Sequence, residues 1–370
     1  MLEYTPPAHK GLKAKVFALS GSISFIHPAL AGCIEWEMLP GSAEGGYNIT
    51  MEETIQKLLP GVLRQESLAR HTTFRIGGRA RYFFTAASSE KIATALLAAK
   101  KARIPVFILS GGSNVLFSDK GFEGLVVHIT SSGVSFKETR IVADAGVSMA
   151  SLVKIAAEHS LAGLEWAGGL PGTLGGAIRG NAGAFGGEIK DTVVSVKAID
   201  GKSSVRVFSK KQCKFSYRSS IFKEKRYVVL SAVLGLKKGN AKELFCIARS
   251  HMRYRKERHP LEYPNAGSVF KNCDAAKLSA RWKKYFADKI KQDPFPVVPT
   301  AALIAEAKLK GLRIGKVEVS KKHPNYIVNL GGGSAKDVIA VIARVKKLVH
   351  KKFDVRLEEE IQFVTRRPHP

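Results

Sequence analysis

LAGLEWAGGLPGTLGGAIRGNAGAFGGE, residues Leu161–Glu188, is the stretch on which the reading of this chain turns. Ten of the residues from Gly163 to Gly187 are glycine, against 34 in the whole chain. Such density marks backbone that turns through positive φ or that something approaches closely. Glycine clusters also make linkers and sheet bulges. A linker, however, would not carry Leu164, Trp166, Leu170, Leu174, Ile178 and Phe185 with almost no Ser, Lys or Glu. Successive N–H groups in tight turns form anion cradles, and a cofactor pyrophosphate is a common occupant. Gly169–Gly176 matches neither GxxxxGK[ST] nor a GxGxxG that leaves a strand and opens a helix. The stretch is therefore a candidate phosphate or cofactor cradle of neither P-loop nor Rossmann type.

Upstream, Arg81–Thr85 reads as a strand, Ser89–Arg103 as a helix capped by Ser88 or Ser89, and Val106–Leu109 as a buried strand ending in Ser110-Gly-Gly-Ser-Asn114. With a strand at Leu125–Ile129 this is a β-α-β unit whose glycine turn lies at a strand's carboxyl end, where such folds hold ligands. An ordinary tight turn explains Ser110–Asn114 equally well in isolation. Ile141–Ala145 predicts a strand and Ser151–His159 a helix leading into the glycine stretch. Downstream, Val193–Ile199, Val205–Phe208 and Tyr227–Leu236 predict an antiparallel or mixed sheet with a hairpin at Asp200-Gly201.

The last third opens with a basic helix, Ala241–Arg258. Ala275–Lys291 holds six Lys/Arg and one Asp, which reads as a surface insertion ending in Asp293-Pro-Phe-Pro296. A helix at Ala301–Ala307, strands at Lys316–Val319 and Tyr326–Asn329, a helix from Ser334 to Phe353 and a strand at Leu357–Phe363 complete the pattern.

A chain of 370 residues, 45% hydrophobic, buries a large core in two or three domains. No apolar run reaches the ~18 residues that cross a bilayer, so a soluble, cytoplasmic protein is expected. The net charge of +28 predicts attraction to anions: nucleic acid, a phosphate-bearing substrate, or only a basic proteome background. No basic zipper, zinc finger or RNP motif supports nucleic acid. Cys33, Cys213, Cys246 and Cys273 have neither disulfide-scaffold nor metal-ligand spacing, and the histidines form no ligand pattern, so no metal is expected. Before Met51 the periodicity is poor. Leu30-Ala-Gly-Cys33 resembles a lipoprotein processing box, but His27 and Pro28 interrupt the apolar run that a signal needs. Residues 1–50 are expected to be a poorly structured, dispensable extension, with Met51 as a candidate start.

Six stretches together resemble the UDP-N-acetylenolpyruvoylglucosamine reductase family, the MurB-type flavoenzymes. They are His71-Thr-Thr-Phe-Arg-Ile-Gly-Gly78, Ser110-Gly-Gly-Ser-Asn-Val-Leu116, Ala167–Gly187, Phe215-Ser-Tyr-Arg-Ser-Ser-Ile-Phe222, Asn265-Ala-Gly-Ser-Val-Phe-Lys-Asn272 and Leu357-Glu-Glu-Glu-Ile361. They occur in the family's order from Leu59 to Val364, and the short path from Leu236 to Tyr263 resembles its second type. Two departures stand out: Ser110 where the family often has Gly, and Leu357-Glu-Glu-Glu360 where it has Leu-Glu-Pro-Glu.

The resemblance implies an α+β chain with a two-subdomain FAD-binding fold of the PCMH/VAO type and a C-terminal α/β substrate-binding domain. The divisions expected are 1–50, 51–130, 131–238, 239–365 and a tail, 366–370. It implies NADPH-dependent, FAD-mediated reduction of a UDP-sugar enolpyruvyl ether in peptidoglycan precursor synthesis, by a monomer with noncovalent FAD. Arg218 would stabilise the developing enolate, Ser268 would donate the proton, and Glu360 would polarise the substrate carboxylate. On residue type alone Glu358 or Glu359 would serve as well as Glu360. Cofactor contacts are expected from Ser110, Gly111, Gly112, Ser113, Asn114, Gly169, Pro171, Gly172, Gly175, Gly176, Asn181 and Gly183. A flavin oxidase of other specificity would share the cradle but lack the Tyr-Arg-Ser and Asn-Ala-Gly-Ser pieces. A basic nucleic-acid-binding protein would explain the charge but not the glycines.

Overall fold

The computed structural model describes residues 50–292 and 295–366. The expectations for residues 1–49, including the Cys33 box, for Asp293-Pro294 and for residues 367–370 lie outside the described residues.

The first sheet runs Leu63–Ser67, Arg79–Ala86, Phe122–Ile129, Val106–Leu109 in spatial order. Phe122–Ile129 runs parallel to both Arg79–Ala86 and Val106–Leu109, and the edge strand Leu63–Ser67 pairs antiparallel to Arg79–Ala86. Leu125, Val126 and Val127 are all buried, as expected of a strand covered on both faces. Helix Ser89–Lys101 starts where the Ser88 hydroxyl accepts from the Lys91 N–H, and it lays Ile92, Ala95, Ala98 and Ala99 on the sheet. These crossovers leave Ser110–Asn114 at the carboxyl end of a parallel strand, beside the core.

The second sheet is antiparallel throughout, in the order Val205–Ser209, Val193–Ile199, Val228–Gly235, Arg140–Asp144, Val134–Lys137. The Asp200 turn is closed by its own carboxylate, which accepts from the Lys202 and Ser204 N–H groups. The glycine stretch folds against this sheet as the short helix Leu174–Gly180, whose Leu174, Ala177 and Ile178 are buried. Gly175 is required there because an added Cβ would come within 2.8 Å of the Ala145 Cβ.

The third sheet, Asn265–Ser268, Tyr326–Asn329, Val317–Val319, Arg313–Ile314, is also antiparallel. Helix Ala241–Arg258, capped by Asn240, leads into it. Helix Ala335–Phe353, opened by a Ser334/Asp337 capping box, buries Val338, Val341, Ile342, Val345 and Val349 against it. The chain then returns to the first region, where Gln362–Val364 pairs in parallel with Val115–Phe117.

Several expectations are corrected. Ala275–Lys291 is not only a surface insertion: Leu278 and Phe286 are buried, and the Trp282 ring meets Phe353 at 4.7 Å. Its cations occupy the outward positions of helix Ala280–Tyr285, which hid the aromatic i, i+4 pair beneath them. The strand expected over Leu357–Phe363 is confined to Gln362–Val364, because the glutamates before it turn to separate partners. The expected boundary at Met51 cuts a cap: the Thr50 hydroxyl accepts from the Glu53 N–H at the head of helix Met51–Leu58. Helix Met149–Glu158 starts earlier than expected, on a Ser148 cap. Among the described residues no helix is long and apolar enough to cross a membrane.

Phe286→Ala tests the corrected reading of the basic segment. Loss of a fully buried phenyl ring should destabilise the protein by about 3–5 kcal/mol, visible as a lower urea midpoint at unchanged m-value. A substitution on a mere surface insertion would shift stability by less than about 0.5 kcal/mol.

Candidate active site

The glycine turns meet. Ser110 Oγ lies 2.7 Å from Thr173 Oγ1, and an added Cβ on Gly111 would lie 2.7 Å from the Gly172 Cα. Gly112, at φ 60°, backs onto the His71 carbonyl so closely that a methyl there would collide with it. Its own carbonyl accepts from the Thr73 N–H at 3.1 Å. Asn114 reaches the C-terminal segment: its Nδ2 donates to the Glu360 carbonyl at 3.1 Å, and its carbonyl accepts from the Gln362 N–H at 3.0 Å. Among the described residues, the N–H groups of Gly111, Gly112, Ser113 and Asn114 donate to no backbone carbonyl outside strands and helices. All four residues line the cleft, and consecutive amides of this kind can form a nest for an anion.

That cleft has a volume of about 1650 Å³ and opens beside both turns. Cavities for one small ligand are usually about 300–1,000 Å³, so this one has room for a dinucleotide and a second nucleotide ligand. Ser110–Asn114, Pro171, Gly172, Gly175, Gly176 and Gly183 line it. Gly169 and Asn181, expected among the cofactor contacts, do not. Gly169 instead lets Arg255 and Met252 of the long basic helix pack closely. Asn181 is fully buried in a left-handed helix cap, its Nδ2 donating to Glu188 and to the Ser216 carbonyl.

Three segments bring the expected reacting groups to one wall. Arg218 sits in a tight turn closed by two reciprocal 3.1 Å bonds between Ser216 and Ser219. Its φ of 55° is left-handed, a strain of order 1–3 kcal/mol for a residue with a side chain. Its Nη2 donates to the Gly183 carbonyl at 3.1 Å, which ties it to the glycine stretch. Its Nε lies 2.8 Å from Glu360 Oε1, a largely buried ion pair. Glu360 is held by its N–H on the Val269 carbonyl at 2.8 Å. Ser268 follows Gly267 (φ 75°), itself turned by the Asn265 side chain, and Asn325 clamps the next residues through both backbone atoms of Phe270.

The run of three glutamates separates cleanly. Glu358 pairs with Lys271 and Lys277, Glu359 with Lys346, and Glu360 with Arg218. Burial raises the Glu360 pKa even though Arg218 and Lys223 oppose it. Burial likewise lowers Lys223 and Arg179, each with cationic neighbours that push the same way. The wall is thus cationic in excess and suited to anionic ligands.

Sequence reading missed several lining residues. Tyr217 accepts from the Asn272 N–H at 3.1 Å and stacks on Arg218. Arg179, Lys223 and Arg226 add positive charge. His259, His323 and Tyr326 also cluster on the lining, with Tyr326 Oη 3.1 Å from His259 Nδ1. Arg179 could have been noticed as the only cation inside the glycine stretch; the His–Tyr cluster joins three distant positions and carries no motif.

Two glycine turns in backbone contact, one closing a parallel strand and the other opening a helix, suit a dinucleotide, and a family model described as "FAD binding domain" matches residues 80–209. The unengaged amides and the size of the cleft fit that cofactor. The protein is a flavin-binding oxidoreductase. A second model, "UDP-N-acetylenolpyruvoylglucosamine reductase, C-terminal domain", matches residues 259–364. The reductase of that name from Caldanaerobacter subterraneus is 39% identical over 81% of this chain and 92% of its own length. That from Clostridium novyi is 38% identical over 84% and 96%. The crystal structure of the Thermus caldophilus enzyme superposes with a TM-score of 0.64 at 28% identity, covering 82% of this chain and 97% of that one. The chain belongs to the UDP-N-acetylenolpyruvoylglucosamine reductase family.

Gly112→Ala should strip the cofactor without unfolding the protein, because the new methyl displaces the loop from His71. The purified variant is expected to be pale, with flavin per protein well below that of the parent and unchanged far-UV circular dichroism. A second expectation concerns acid. Burial, His323, Arg255 and Lys322 lower the His259 pKa from 6.5 to about 4. The unfolded chain therefore binds a proton below pH 6.5 that the folded one refuses, and stability falls from there down to about pH 4. His259→Asn should flatten that part of the urea-midpoint profile against pH.

Proposed function

We propose that this chain catalyses NADPH-dependent, FAD-mediated reduction of UDP-N-acetylglucosamine enolpyruvate to UDP-N-acetylmuramate, a step of peptidoglycan precursor synthesis. The observation that carries the reading is the Arg218–Glu360 pair on the same cleft wall as Ser268, within one cavity that also holds the glycine turns. FAD, when bound, supplies the hydride chemistry between NADPH and the enolpyruvyl group. The residues proposed to hold it are Ser110–Asn114, Pro171, Gly172, Gly175, Gly176 and Gly183, through backbone N–H groups and the absence of side chains.

Hydride arrival at the enolpyruvyl β-carbon builds negative charge at the α-carbon and its carboxylate. Arg218 stabilises that charge with the planar cationic fork of its guanidinium. Glu360 polarises the same carboxylate and fixes the guanidinium. Burial raises its pKa, and the charges of Arg218 and Lys223 oppose that shift. Ser268 delivers the proton to the α-carbon from a strand whose backbone is clamped by Asn325. We also propose subdomain divisions near residues 130 and 238, supported by each of the three main sheets lying within one segment.

Rapid mixing separates the halves of the reaction by flavin absorbance. Ser268→Ala should leave flavin reduction by NADPH nearly normal and slow reoxidation by the enolpyruvyl substrate ~10²–10⁴-fold. Arg218→Lys should impair the same second half, since an ammonium keeps the charge but loses the planar fork. Equal slowing of both halves by Ser268→Ala would mean that the serine acts through cofactor placement, and the donor role would be withdrawn.

A further inference from the structure

We propose that Tyr326 and His259 form a proton relay that recharges Ser268 after each turnover. The inference rests on the reading of Ser268 as the proton donor. Ser268 and Tyr326 are direct partners across the antiparallel pairing of Asn265–Ser268 with Tyr326–Asn329. Side chains so paired stand on one face of the sheet within ~5.5 Å at Cβ. Here that face is the cleft wall, which both residues line. Tyr326 is 7% exposed, so its phenol has little access to solvent. Burial raises its pKa, the Arg255 charge opposes that shift and the Glu360 charge adds to it, with a smaller opposing effect from the neighbouring Ser268 side chain. Its Oη lies 3.1 Å from His259 Nδ1.

His259 closes helix Ala241–Arg258, and its ring is packed by Tyr326 at 5.0 Å and His323 at 5.1 Å. With its pKa near 4, His259 is neutral at neutral pH. A neutral imidazole has one N–H donor and one acceptor nitrogen, the form a relay needs. His323 Nδ1 is buried beside it without a protein partner, so the cluster still has hydrogen-bonding capacity unused.

The step balances as follows. The Ser268 Oγ–H bond breaks as the proton joins the substrate α-carbon. The Tyr326 Oη–H proton passes to Ser268 Oγ, the His259 Nδ1–H proton passes to Tyr326 Oη, and His259 Nε2 takes one from water while it switches tautomer. The net transfer is one proton from water to substrate, with no electrons beyond the hydride already delivered. Without the relay the Ser268 oxygen, half-buried on the cleft wall, would have to wait for water to enter a cleft filled by ligand.

Tyr326→Phe removes only the oxygen and keeps the ring that packs the wall. In the flavin-loaded protein, reduction by NADPH should be unchanged, while reoxidation by the enolpyruvyl substrate should slow at least ~10-fold with a larger solvent deuterium isotope effect. His259→Asn should slow the same half-reaction, and added imidazole should restore part of it, a rescue that a packing role would not give. The relay is overturned if Tyr326→Phe leaves reoxidation at the parent rate while Ser268→Ala abolishes it, for then the donor stands and recharges otherwise. It is equally overturned if Tyr326→Phe changes only KM or slows both halves alike. If Ser268→Ala itself leaves reoxidation intact, the donor reading fails first and takes the relay with it.

Discussion

The structure depends on one backbone contact, Gly111 against Gly172, latched by the Ser110–Thr173 hydroxyl pair. Through it the parallel sheet and the antiparallel sheet share one floor. From that floor the remaining site segments are held by backbone bonds, Thr73 on Gly112, Asn265 on Thr73 and Gln362 on Asn114, and by the Asn114 side chain on the Glu360 carbonyl. The His71-Thr-Thr-Phe74 segment thus acts as a staple between the cofactor loop and the strand that ends in Ser268. Any side chain at Gly111 or Gly112 would move the loop and, with it, three reacting groups that come from different parts of the chain. Close backbone approach explains why the chain tolerates the entropic penalty of glycine at these places.

The second constraint is electrostatic. Bringing Glu360 and Arg218 together out of bulk water has a desolvation penalty that their attraction only partly offsets, so the pair is weak evidence of stability. It is better understood as a site held ready. Burial raises the carboxylate's pKa and lowers those of Lys223 and Arg179 nearby, and an arriving anion relieves the excess of positive charge. Left-handed strain at Arg218 fits the same pattern, with the Ser216–Ser219 bonds, each worth ~1 kcal/mol, holding the turn. Part of the net +28 therefore converges on the cleft, which a phosphate-bearing ligand accounts for without nucleic acid.

How much of this could be read from the sequence follows from the range of each interaction. Helix Ala241–Arg258 and strand Val193–Ile199 were legible to the residue, since periodicity and the Asn240 cap are local signals. The cradle was legible as chemistry, because glycine density is local too. Leu63–Ser67 was not, because an edge strand with mostly exposed residues has no alternation to show. Phe286 was hidden by the lysines around it. Glu360 could not be told from Glu358 and Glu359 by residue type, since the choice depends on Lys271, Lys277, Lys346 and Arg218, all remote in sequence. Asn181 and Gly169 show the opposite error: they sit within the motif, but they support the cradle from behind.

The same distinction separates groups that position from groups that react. Arg218, Ser268 and Glu360 have their backbones fixed by bonds that do not involve their own reactive atoms: the Ser216–Ser219 turn, the Asn325 clamp and the Val269 carbonyl. A side-chain change at Ser268 or Glu360 leaves that frame in place, so its effect reads out chemistry, whereas the Arg218 side chain also holds the Gly183 carbonyl. Asn325 and Asn181 are the reverse case, with side-chain polar atoms bonded to the backbone frame itself. Truncating one leaves a buried backbone donor or acceptor unpaired, at about 1–3 kcal/mol, and shifts every group mounted on that frame together. Tyr326 belongs to neither class cleanly. Its ring packs the wall, but its hydroxyl bonds His259, a group that can itself lose or gain a proton.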